Sequence, residues 1–154
     1  MTWTSFRGRG EILRDVTVVA DARADGTLPW DVEGVACAFA DQLDLLGALQ
    51  LRWHTRLAGR IERELSNQPL GLEQAVITAW RATARELPGV RAIIDRHRER
   101  PLDPEMAQAM TVATSKEHEL LAVMAGRAAL GDPAAARVGA EIEDRARAGV
   151  ALAA

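Results

Sequence analysis

Glu117, His54, Gln50 and Glu73 are the side chains whose type and helical position could do chemistry, because each interrupts a run of apolar residues. Met106, Met110, Ala113, Leu121, Met124 and Ala128 recur at helical spacing, and Glu117 falls close to the centre of their stripe. Val35, Phe39, Leu43, Leu46, Trp53, Leu57 and Ile61 form a second stripe, with Gln50 inside it and His54 just beyond its edge. Those two are i, i+4 neighbours. A third stripe comprises Leu72, Val76, Trp80 and Leu87, with Thr83 central and Glu73 at one margin.

A carboxylate that faces a core must be ion-paired, hydrogen-bonded or protonated, since burial can raise its pKa by roughly 3–5 units. Left unpaired and charged, it would cost several kcal/mol. Glu117 therefore needs a partner: His54, Gln50, an indole N–H of Trp53 or Trp80, or an arginine from a neighbouring edge. Two roles follow. Gln50, His54, Glu73 and Glu117, with His118 as a further member, line an interior pocket for a polar ligand or metal. Alternatively Glu117 is a polar clamp that fixes helix register, and the clamp is the more economical reading because ionic networks in bundles often have only that role.

Metal chemistry fits the spacing poorly. A di-iron helical bundle needs Glu-x-x-His on each of two helices, and no such spacing occurs in the chain. Glu117-His118-Glu119 sends its side chains to diverging faces. Of the three histidines, His97 lies in an arginine-rich stretch and is expected at the surface, which spoils a three-histidine zinc site. No cofactor and no metal are expected. Cys37 is the one cysteine and, following Val35-Ala36, is expected to be a small buried hydrophobe. No serine or threonine stands in a nucleophile motif, and there is no glycine-rich phosphate loop.

Nineteen basic residues include a single lysine, Lys116; with the abundant alanine this bias reflects GC-rich codon usage of a bacterial type. Arg52, Arg56, Arg60 and Arg63 form a stripe along one flank, and Arg91, Arg96, Arg98 and Arg100 gather further on. Both sets are interspersed with acids, so each is read as a solvated helix face rather than a nucleic-acid surface. The net charge of −3 agrees, since nucleic-acid binding calls for a basic field.

The elements that must position these residues are helices. At 154 residues with 48% hydrophobic and 27% charged side chains, the chain can bury a core without metals or disulfides, and one domain (1–154) is the default, with residues 1–9 as a flexible lead. The apolar period predicts helices over about 10–23, 31–65, 70–87 continued by 90–98 after Pro88-Gly89, 103–130 ending at Gly131, and 132–150. Gly47 and Gly59 are the places where the second could bend. Asp103-Pro104 and Asp132-Pro133 are start signals, an acidic N-cap followed by proline. Short connections favour an all-α, up-and-down antiparallel bundle of about five helices, with the second to fourth as its core.

The second helix carries more apolar residues than one face requires: Leu45, Leu49 and Leu51 fall outside its main arc. Either that helix is surrounded or it meets a second subunit, so a homodimer through helix 2 is expected. There is no signal-peptide pattern and no apolar run long enough to span a bilayer, which points to the cytoplasm, with no membrane and no nucleic acid as partner. The functional expectation is a non-enzymatic protein acting by self-association or by docking a protein partner. The alternative is a ligand- or metal-binding bundle with its pocket around His54 and Glu117.

Overall fold

The computed structural model of the chain describes residues 8–153. Among the described residues there are seven helices and no strand: α1 (Arg9–Arg23), α2 (Val35–Ala38), α3 (Gln42–Asn67), α4 (Leu72–Glu86), α5 (Pro88–Glu99), α6 (Pro104–Met124) and α7 (Ala135–Ala153). The all-α expectation holds, with seven helices in place of about five. Among the described residues no helix is long and apolar enough to cross a membrane.

The long second helix expected over 31–65 divides in two. The spacing of Val35, Phe39 and Leu43 reads as unbroken helix, yet Phe39 is extended (φ −121°, ψ 136°). A cap built from two aspartates wins at this point. Asp41 Oδ1 accepts the backbone N–H of Asp44 at 2.8 Å, and Asp44 Oδ2 reaches back to the N–H of Ala40 at 3.0 Å. The first bond satisfies a donor that the first turn of α3 would otherwise leave orphaned, and the second fixes the chain that enters the helix. Arg9 locks the cap from α1, pairing with Asp44 at 3.2 Å, donating to the Ala38 carbonyl and lying 4.5 Å over the Phe39 ring. Arg9, expected in the flexible lead, is thus the first residue of α1; residues 1–7 lie outside the described residues.

Other boundaries follow local chemistry. Pro88 occupies the first turn of α5, where its missing N–H costs nothing. Asp103 caps α6 through Met106 N–H at 2.8 Å. The expected run of this helix to Leu130 is wrong, because it stops at Met124. Gly126 takes φ +70°, its N–H bonds the Val123 carbonyl, and Arg127 N–H bonds that of Ala122. That pair of bonds around a left-handed glycine is the Schellman stop. Asp132 turns the chain into α7 by accepting the N–H of Ala134 at 2.8 Å.

The chain forms two compact units: residues up to Trp53 with Leu87–Ala107, and His54–Glu86 with the residues from Gln108 onward. In the first, α1 packs on α5 so closely that a Cβ on Gly89 would lie 2.2 Å from the carbonyl carbon of Ala20. The Gly89 N–H is free to bond Asp21 Oδ1 at 2.8 Å. In the second, α4 packs on α7, and α7 meets α6 where a Cβ on Gly139 would lie 1.8 Å from the His118 carbonyl oxygen. Trp53, Leu57, Ile61 and Trp80 are buried, as the apolar stripes require. Each such side chain contributes roughly 1.5–3 kcal/mol. Leu45 and Leu49 are also fully buried, whereas Leu51 is 66% exposed. Two of the three leucines offered as surplus are therefore consumed within the chain.

Candidate functional site

Glu117 is fully buried on α6 and is engaged by a polar or electrostatic interaction, as its position demanded. Glu73, on α4, receives Arg127 at 2.8 Å and Arg145 at 2.7 Å, both on Oε1, and so ties α4 to the loop after α6 and to α7. His54 is half-buried on α3, and no hydrogen bond or ion pair joins it to Glu117 among the described residues. Gln50 belongs to the first unit and His54, Glu73 and Glu117 to the second. The Gln50 Oε1 atom is enclosed with no hydrogen-bond donor among the described residues.

Two single-residue expectations are overturned. Cys37 is exposed: α2 is one short turn, and its neighbours Val35 and Phe39 take the buried positions. His97, expected at the surface, is buried, because it continues the inward face of α5 through Val90, Ile93 and Ile94. Its Nδ1–H donates to the Ile93 carbonyl at 2.7 Å. Among the described residues no group of three or more His, Cys, Asp or Glu side chains is placed to hold a metal ion.

A polar cluster missed by the sequence reading joins α6 to α7. His118 Nε2 lies 3.1 Å from Glu143 Oε2, and Arg147 lies 3.5 Å from the other carboxylate oxygen while its guanidinium sits 4.9 Å from the Trp80 ring. Glu143 is buried. The signal was available, since Ala135, Val138, Gly139, Ile142 and Ala146 form a helical stripe that includes position 143, but small residues make such a stripe faint.

A concave surface with a cationic lining lies on the second half of α3. Thr55, Arg56, Gly59, Arg60 and Arg63, with Glu86 at the end of α4, line a solvent-open groove of about 300 Å³. Spacings of four and three residues bring the three arginines to one face of the helix. Gly59 forms the bare floor between them: a Cβ added there meets nothing within 4 Å. The three guanidinium groups are unequally committed. Arg56 is seated on Glu86 with a 2.5 Å N–O distance. Arg60 Nε lies 3.4 Å from Glu64, enclosed but off hydrogen-bond geometry. Arg63 is exposed and has no ion-pair partner among the described residues. Part of the arginine stripe is therefore the acid-paired face expected from sequence, while Arg63, beside the open groove, has no paired acid among the described residues. Comparison with protein-family models, with curated proteins and with solved structures finds no match, so what the chain does has to be argued from this geometry.

Proposed function

We propose that the protein is a non-enzymatic docking protein whose partner is an acidic protein segment received at the Thr55–Arg63 face of α3. The observation that carries this reading is the groove itself, walled by three arginines and floored by glycine. Guanidinium forks match carboxylates in planar, two-point geometry, so an acidic side chain finds both charge and shape there. The chain as a whole carries a net charge of −3, so the cationic character is local and directs an acidic partner to one face. A homodimer through α3 is the competing occupant, supported now by Leu51 alone among the three surplus leucines. Glu117, buried and already engaged, takes the role of the clamp. An exposed thiol at Cys37 suits a reducing, cytoplasmic compartment.

The test is an amide-resonance titration of isotopically labelled protein with a synthetic peptide of alternating Glu and Ser, run beside sedimentation velocity. The expected result is a monomer whose perturbed signals cluster at Thr55–Arg63 and Glu86 and whose response vanishes in about 1 M salt, where the screening length is roughly 3 Å. Silence of this face at millimolar peptide would overturn the proposal, as would a stable dimer in which the face is protected.

A further inference from the structure

We infer that the groove is an oxyanion site for a partner's carboxylate and that Glu86 is its intramolecular occupant in the free protein, so that docking exchanges one carboxylate for another on Arg56. This rests on the docking reading above and adds to it how the site is held when no partner is present.

The charges around the groove do not balance as a closed network. One end of the groove is filled by a seated acid, Glu86 on Arg56, while the other presents Arg63 with no acid paired to it among the described residues. Arg60, between them, is only loosely held by Glu64 from its own helix. Glu86 is also poorly placed as a permanent ligand. It is the last residue of α4, where the partial negative charge of the helix end repels a carboxylate. Both members of the Arg56–Glu86 pair are exposed, at 48% and 41% of the side chain. Exposed pairs of this kind are weak, so an incoming carboxylate can take over the guanidinium at little cost while also engaging Arg63. The Gly59 floor allows the approach, because the space above it is open. Glu86 then sets a threshold: a partner offering a single carboxylate merely replaces what is already there, whereas one offering two adjacent carboxylates gains the vacant end.

Calorimetric titration of the same Glu–Ser peptide into the wild type, Glu86→Gln and Gly59→Leu tests this. Glu86→Gln should bind roughly two- to fivefold more tightly, the range set by one exposed ion pair, with little change in melting temperature. Gly59→Leu fills the floor and should weaken binding at least tenfold, while its melting temperature holds or rises because the added Cβ meets nothing within 4 Å and leucine is the better helix former. If the wild type binds on this face and Glu86→Gln binds no tighter, Glu86 is not the occupant and the inference falls while docking stands. If neither binds, the docking reading fails and takes the inference with it. If Gly59→Leu binds like the wild type, the groove is not the site.

Discussion

Alanine in place of glycine makes the same chemical change at Gly59 and at Gly139, yet the two substitutions should move stability in opposite directions. At Gly59, inside α3, the added methyl meets nothing within 4 Å, so only the helix propensity changes. That gain is about 0.8–1 kcal/mol, or roughly 2–4 °C in Tm for a chain of this size. At Gly139 the same methyl would stand 1.8 Å from the His118 carbonyl oxygen and 2.3 Å from its carbon. Real Cβ atoms essentially never approach closer than 3.0 Å, so α7 must withdraw from α6 by 3.0 − 1.8 = 1.2 Å or more. The obstacle is backbone, which cannot rotate aside as a side chain would. Overpacking of this kind costs about 1–3 kcal/mol and occasionally more. The withdrawal would also stretch the 3.1 Å contact between His118 and Glu143. A rigid backbone obstacle puts the cost at the upper end, about 3 kcal/mol, so less the propensity gain Gly139→Ala should lose about 2 kcal/mol. Urea unfolding followed by far-ultraviolet circular dichroism measures both, as midpoint shifts of opposite sign at an unchanged slope. A Gly139→Ala variant within about 0.5 kcal/mol of wild type would refute the close approach of α6 and α7. A destabilised Gly59→Ala would refute the open face of α3.

Two further outcomes are expected. Glu117→Gln should lower Tm by several degrees, from a loss of about 1–3 kcal/mol when a fully buried, engaged carboxylate is replaced; an unchanged melting curve would remove the clamp. The Asp31 carboxyl, hydrogen-bonded by Arg23, is held down to about 2 from its ordinary 3.8. Because the folded value is the lower one, the bridge supports the fold above about pH 3.8, and that support disappears as pH falls through about 2. A carboxyl carbon titration should give a midpoint near 2 that rises in Arg23→Gln, and a wild-type midpoint at 3.8 would contradict the pairing.

Sequence reading succeeds here wherever one residue's local chemistry decides the outcome. Asp103 before Pro104 caps α6 because an aspartate oxygen can reach the third amide of the helix without help from elsewhere. Pro88 starts α5 for a similarly local reason. It fails where two local signals compete. The apolar period through Val35, Phe39 and Leu43 hides the Asp41–Asp44 cap, and the Gly131-Asp132-Pro133 punctuation draws attention from Gly126, the actual stop. For the groove, the arginine spacing is legible and the concavity is not. Gly59 reads as a place to bend, and Glu86 is brought to Arg56 only by the packing of the second unit. Glu117 is legible as buried because its stripe is strong, while Glu143 is hidden by the small residues around it.

The interleaving of the two units in the chain has a bearing on how the protein emerges from the ribosome. The first unit is not complete until Ala107 has emerged, by which time all of His54–Glu86 is already outside. Leu57, Ile61, Val76 and Trp80 must then wait for the residues from Gln108 onward to emerge before their unit can close. At about 5–20 residues per second that delay is on the order of seconds, far longer than helix formation. The nascent chain thus passes through a stage in which a finished unit carries an exposed, apolar two-helix insertion, and that stage, rather than the finished fold, is where chaperones would find their substrate.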